Sequence, residues 1–152
     1  MHWQWLPFSD LSPQVLYAVL RLRQEVFVVE QDCPFLDADG DDMRCHHLLG
    51  WAADGGLDAY LRAYPPGALD GHGEVVIGRV VTAQRARGTG LGRELMQQGI
   101  DRSMHTWGRG PIYLGGQSYL EGFYRSLGFA TCGPGYLEDG IPHLPMRRPT
   151  PT

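Results

Sequence analysis

The sequence predicts an α+β fold in a single domain over residues 1–152, and three observations predict it. Segments with helical and with strand periodicity alternate along the chain, and no repeat or linker-like stretch separates them into two domains. With 152 residues, 43% of them apolar and 20% charged, there is material for one sizeable core and too little for two. At the centre an apolar, β-branched strand, EVVIGRVVTA, leads through the glycine-rich stretch RGTGLG into an amphipathic helix.

The elements follow in order. HWQWLPF reads as a short strand, after which Ser12 is an N-cap and Pro13 the first helical residue. Val15, Leu16, Val19, Leu20, Val26 and Phe27 recur at helical spacing, so the first helix should run to about Glu30. The polar stretch QDCPFLDADGDDMRC has no periodicity and reads as a long solvated loop rich in turn formers. HHLLGWAA and LDAYLRAY are strands flanking the hairpin signal Asp54-Gly55-Gly56, and PPGALDGHG is a second exposed loop. EVVIGRVVTA should be buried on both faces. Leu91, Leu95, Met96, Ile100, Met104 and Trp107 mark the apolar face of the next helix, and PIYLGG is another buried strand. Ser118 and Glu121 fit a capping box opening a short helix that Gly128 stops. FATC and PHLPMRR close the chain as strands around the loop GPGYLEDGI.

Charge and cysteine content exclude several classes of function. A net charge of −4 and a pI near 5.8 argue against a nucleic-acid surface, which needs clustered Lys and Arg. No apolar stretch approaches the length of a membrane span, and MHWQWLPFSD lacks the basic and apolar regions of a signal peptide. Cys33, Cys45 and Cys132 form no CxxC pair, so neither a disulfide framework nor a zinc site is expected, and the cytoplasm is the expected compartment.

Asp37, Asp39, Asp41 and Asp42 invite a calcium reading, but an EF-hand loop starting at Asp37 needs glycine sixth and glutamate twelfth, where Asp42 and Leu48 stand. His46 and His47, adjacent on a strand, point to opposite faces and should not chelate together. No metal is therefore expected. The aspartates read instead as an acidic lip able to attract a cationic amine.

Gly88, Gly90 and Gly92 stand where a strand turns into a helix. A helix start offers unpaired N–H groups and the positive end of the macrodipole, and glycine lets an anion approach the backbone. The stretch is not a Walker A loop, since Arg93-Glu94 replaces the Lys-Ser/Thr pair, and the glycine spacing misses GxGxxG. A plain glycine turn that lets helix and strand pack is the competing reading.

R-G-T-G-L-G at residues 87–92 fits [Q/R]-x-x-G-x-[G/A], and Q-S-Y-L-E-G-F-Y-R-S-L-G-F at 117–129 is similar to N-x-x-A-x-x-F-Y-x-x-x-G-F. On these motifs the chain resembles the GNAT superfamily of N-acetyltransferases, departing at Gln117 and Leu120, where Asn and a small residue are usual. L-R-x-x-V-F-V-V-E-Q-x-C-P at 22–34, D-x-D-G-D-D at 37–42 and E-D-G-I-P-H at 138–143 resemble its ElaA branch. The resemblance implies an acyl-CoA N-acyltransferase fold, a mixed and mostly antiparallel sheet flanked by helices. It also implies acetyl-CoA as co-substrate and a small-molecule or peptide amine as acceptor, with no metal, nucleic acid or membrane partner.

Carried over residue by residue, the resemblance puts the backbone of Val80, Val81 and Thr82 along the pantetheine arm. It puts the amides of Arg87, Gly88, Thr89, Gly90, Leu91, Gly92 and Arg93 on the pyrophosphate, and gives Gln117 a cofactor contact. Tyr124 is then the acid that protonates the departing thiolate, and transfer is direct, with Cys33 and Cys45 inert. The central strand carries no carboxylate for a general base, so Glu30, Asp41, His46, Glu138 and His143 are the candidates. Two other readings stay open: an acyl-CoA sensor without turnover, and an acyltransferase like the acyl-homoserine lactone synthases. The sequence leaves the acceptor and the oligomeric state open, a homodimer included.

Overall fold

A computed structural model describes residues 1–152. The strands are β1 (His2–Pro7), β2 (His46–Trp51), β3 (Leu57–Tyr64), β4 (Val75–Thr82), β5 (Ile112–Gln117), β6 (Ala130–Thr131), β7 (Tyr136–Glu138) and β8 (Ile141–Arg148). They form one sheet in the order β1-β2-β3-β4-β5-β8-β6, with β7 also on β8, and only β4 and β5 run parallel. The helices are α1 (Pro13–Arg23), α2 (Leu91–Trp107) and α3 (Glu121–Arg125). None is long and apolar enough to cross a membrane.

Strand alternation divides the core between the two faces of this sheet. Leu48, Leu61 and Ile77 pack with Leu95, Met96 and Ile100 of α2, while Leu49, Tyr60 and Val81 pack with Val19 and Leu22 of α1. The central helix lies so close to β3 that a Cβ on Gly99 would meet Leu61 Cδ2 at 2.8 Å.

Ser12 caps α1 as expected, its Oγ accepting from the Val15 amide at 3.1 Å. The helical path also reaches Glu30, but Gln24–Glu30 is π-wound. Four of those seven residues form the run VFVV, and β-branched side chains crowd an α-helical turn; the wider winding brings Val26, Phe27 and Val28 to the wall of a cavity described below.

Three expectations are corrected. The first concerns the stretch after Gln31: it is a largely exposed loop, as expected, but its aspartates do not form a free acidic lip. Arg23 is fully buried and donates to Asp37 Oδ2 and Asp42 Oδ1, both at 2.7 Å. Arg62 donates to the same Asp42 oxygen at 2.8 Å and to Asp39, while Tyr64 O–H donates to Asp41 at 2.7 Å. Arg79 Nε lies 2.8 Å from Asp37 Oδ1, an ion pair without hydrogen-bond alignment. The arginines come from α1, β3 and β4, so the aspartates tie this segment down over the sheet. The sequence places these partners 14 to 42 residues away, which hides the pairing from local inspection.

The second correction is the capping box. Ser118–Leu120 is a 3₁₀ turn without a side-chain cap, and Glu121 accepts from Thr131 Oγ1 at 2.6 Å, tying α3 to β6. The third is GPGYLEDGI, which contains β7, hairpinned onto β8 through Asp139-Gly140 with φ of 52° and 77°. An Asp-Gly pair is a type I′ hairpin signal, and here it was flanked by too few apolar residues to be read as one.

Two irregularities shape the centre of the sheet. On β4, Tyr60↔Val81 and Arg62↔Gly78 are partners, so Arg79 and Val80 together oppose Leu61: a bulge, with Arg79 at φ 53°. Towards β5, β4 is paired only at Val75↔Ile112 and Val76↔Tyr113. Beyond those pairs the two strands part. Gly78, Arg79 and Val80 are accordingly half-buried, so the expectation of a strand buried on both faces holds for the first half of β4 only.

Burial raises the proton affinity of the Asp39 and Asp42 carboxyls, but hydrogen bonds and charge from the arginines outweigh it and hold both below the usual carboxylate range. Their contribution to stability is therefore full above the unfolded value near ~3.9 and is lost as pH falls through the lower folded value. Asp42→Asn should cost about 3–5 kcal/mol in urea unfolding at pH 7, because two buried guanidinium groups lose a shared charge. The gap to wild type should narrow below about pH 4; equal midpoints at pH 7 would show that the pairs are energetically idle.

Candidate active site

Where β4 and β5 part, a cavity of about 440 Å³ opens. Its walls are the second half of β4, the N-terminus of α2, the end of β5, α3, the π-wound turn and the β7–β8 turn. Val80, Val81, Thr82, Arg87, Gly88, Gly90, Leu91, Gly92, Gln117 and Tyr124, singled out from the sequence, all line it. Thr89 and Arg93 do not. Thr89 Oγ1 donates to the Ala86 carbonyl at 2.6 Å, and the Arg93 guanidinium donates to Ser126 Oγ at 2.7 Å while lying over the Phe123 ring. Both side chains are thus engaged outside the cavity lining.

The glycines build the entry to α2. Gly88 and Gly90 have φ of 79° and 84°, which only glycine adopts without strain, and a Cβ on either would meet nothing within 4 Å. Packing therefore does not explain them; backbone direction does. The first intrahelical bond runs from Glu94 N–H to Gly90 O at 3.2 Å, so the amides of Leu91, Gly92 and Arg93 precede the ladder at the positive end of a 17-residue helix. The geometry is that of an anion cradle.

Tyr124 sits at the opposite wall. Its ring packs edge-on against Phe123 and Phe129, and a Cβ at Gly116 would come within 2.9 Å of it, so that glycine is what admits the ring against β5. Burial pushes the phenol up to about 12. The group stays protonated at neutral pH.

The five candidate bases separate. Asp41 is bound to Arg44 and Tyr64 away from the cavity. His46 is packed between Trp5 and Trp107, its proton affinity lowered by burial, also away from it. Glu30 lines the cavity but pairs with Arg87 at 2.5 Å. Glu138 and His143 line it and face each other, Oε2 to Nε2, at 3.3 Å. Of the thiols, Cys45 is buried and pushed up to about 12 by that burial, so it is a neutral thiol. Cys33 reaches the lining, its Sγ 3.7 Å from the Asp139 carbonyl.

Sequence reasoning missed Phe27, Phe35, Arg79 and Tyr119 in this lining. For Arg79 no signal was available, because strand alternation sends it to the far face and only the bulge redirects it. Phe35 and Tyr119 are large apolar residues left exposed, a mark of a binding surface that shows only after folding.

Comparison with known proteins agrees with this geometry. A family model described as "Acetyltransferase (GNAT) domain" matches residues 66–149. Protein ElaA of Escherichia coli is 45% identical over 97% of this chain and 96% of its own length, and its crystal structure superposes with a TM-score of 0.88. An acyl-CoA N-acyltransferase from Pseudomonas aeruginosa is 44% identical, with a TM-score of 0.90 over 97% of this chain and 99% of that one. An aminoglycoside 6'-N-acetyltransferase complexed with coenzyme A shares the fold, with a TM-score of 0.72 and 14% identity over 98% of this chain and 97% of that one.

Gly92 gives a cleaner test of the anion cradle than Gly90, where any side chain would be strained. A Cβ at Gly92 meets only Phe123 Cζ at 3.9 Å, and Val is no worse than Gly inside a helix. Gly92→Val should melt at the wild-type temperature and bind coenzyme A at least about tenfold more weakly, or about 1.4 kcal/mol, by calorimetry. Unchanged affinity would reduce the glycine run to a turn.

Proposed function

The chain belongs to the GNAT family of acetyltransferases, and from that premise we propose that it moves an acetyl group from acetyl-CoA directly to a primary amine of a small molecule or peptide within a ternary complex. One observation carries this reading: the parted strands end at a helix start with three free amides. An open strand edge suits a ligand that carries amides, and the helix start suits its phosphates. The bare edge of β4 from Ile77 to Thr82 supports a place for the pantetheine arm, with the main chain of Val80, Val81 and Thr82 directed at the thioester. The amides of residues 87–93 then take the pyrophosphate.

The residues divide the chemistry. Main-chain N–H groups of the bulged strand polarise the thioester carbonyl as negative charge develops on its oxygen. Tyr124 gives its phenolic proton to the departing thiolate, a thiolate whose own proton affinity corresponds to a pKa of roughly 8.5. Because burial makes this phenol a weak acid, its contribution sits at the low end of the range for general acids. The three free cysteines are compatible with a reducing compartment, and the cytoplasm is part of the proposal.

The first test is thiol release from acetyl-CoA with spermidine, kanamycin, free lysine and a lysine-containing peptide. Turnover with at least one is expected, whereas tight coenzyme A binding without turnover would make the protein a sensor. Tyr124→Phe keeps the packing against Phe123 and Phe129 and removes the proton. It should lower kcat by about 10²-fold while leaving acetyl-CoA affinity unchanged, since the interaction is made in the transition state. Equal kcat, measured where chemistry limits turnover, would leave Tyr124 a packing residue.

A further inference from the structure

An acceptor nitrogen arrives as an ammonium and leaves as an amide, so it sheds two protons, while the departing sulfur takes up one. The other must go to a base on the acceptor's side of the cavity. His143 stands opposite Gln117 of β5 and Tyr136 of β7, and residues paired across antiparallel strands project from the same face. Tyr124 packs on the other face of β5, against Gly116. The two groups therefore reach the cavity from opposite sides of the sheet.

Local hydrogen bonds fix which nitrogen of His143 is basic. Nδ1 lies 2.7 Å from the Ile141 carbonyl, which can only accept, so Nδ1 carries hydrogen whatever the charge of the ring, and Nε2 is the nitrogen left to exchange a proton. The ring is 7% exposed and stacked on Tyr136. Of the charged groups around it, Glu138 on β7 is 3.3 Å from Nε2, and Asp139 lies in the turn, its carbonyl engaged by Cys33. Across the cavity, Asp37 is matched by Arg23 and Arg79 and Glu30 by Arg87. Glu138 thus faces Nε2 without a competing arginine.

We infer that His143 Nε2 is the general base for the acceptor ammonium, with Glu138 as its positioning residue; the assignment rests on the acetyl-transfer reading above. A proton passes from the ammonium to Nε2. The freed lone pair forms the carbon–nitrogen bond as the carbon–sulfur bond breaks, and Tyr124 supplies the proton that sulfur takes. Tyr124 recovers a proton from the nitrogen, and Nε2 passes its own to solvent, the one proton released per turnover.

The experiment uses the full chain, acetyl-CoA and the same four amines, with coenzyme A calorimetry and thermal melting as controls on every variant. His143→Ala should lose about 10²-fold or more in kcat/KM, lose the acid side of the pH profile, keep coenzyme A affinity and recover partly when free imidazole is added. Glu138→Gln, at a half-exposed side chain and so safe for folding, should show a smaller loss with an altered pH profile. Turnover retained in His143→Ala overturns this assignment alone. A loss that imidazole does not rescue, in a variant that melts and binds coenzyme A normally, overturns it too and makes His143 structural. Wild-type protein that binds coenzyme A and acetylates none of the four amines overturns the transfer reading and this assignment together.

Discussion

The parting of β4 from β5 after two residue pairs is the constraint on which the rest of the structure depends. A parallel pair in mid-sheet would normally stay hydrogen-bonded along its length, because unpaired backbone groups are costly once buried. Here the far edges stay paired, β4 on β3 and β5 on β8, so the sheet remains continuous while its middle opens. The bulge at Arg79 and Val80 bends β4 where it borders the gap, and both residues line the cavity. Without the gap, α2 would start against a closed sheet, and its free amides would face no cavity.

The buried arginine–aspartate network answers a problem the gap creates. Opening the sheet removes support from the segment between Gln31 and β2, which has no regular structure of its own apart from one 3₁₀ turn. Asp37, Asp39 and Asp42 replace that support with directional, charge-assisted bonds to Arg23, Arg62 and Arg79. Such pairs contribute less net stability than apolar packing of equal volume, yet removing one partner is severe. The network is therefore best understood as fixing where Phe35 and Asp37 stand at the cavity rim. Carboxylates spent in this way no longer attract a cation, and at the rim Glu138 and Asp139 are left without arginine partners.

How much of this was legible in the sequence follows from the range of the interactions involved. Elements set by local periodicity and caps were readable: α1 from Ser12, α2 after Gly90, and each long strand. The cavity wall that holds the glycines, Gln117 and Tyr124 was readable too, because a helix start, its glycines and the F-Y-x-x-x-G-F spacing are local patterns. The wall formed by Cys33, Phe35, Arg79 and the β7–β8 turn was not. It comes from chain segments brought together only by folding, as when Cys33 meets Asp139 or Arg79 meets Asp37. Ser118 shows the converse failure, a local pattern that fits a capping box until Thr131 takes the Glu121 carboxylate.

The two walls of the cavity hold their polar groups in different surroundings. Tyr124 is enclosed by Phe123, Phe129 and the sheet, so its charged form is penalised with no nearby cation to offset it, and it is held as a neutral donor. His143 is nearly as enclosed, yet a carboxylate stands 3.3 Å from one ring nitrogen and a carbonyl 2.7 Å from the other. A neutral phenol and an imidazole with polar partners at both nitrogens therefore flank the same cavity from opposite faces of the sheet. The proposed acyl transfer from a thioester to an ammonium would use that asymmetry, since the proton must be removed on the nitrogen side and supplied on the sulfur side. A single β-sheet supplies it by alternation: Gly116 and Gln117, neighbours on β5, face Tyr124 and His143 respectively.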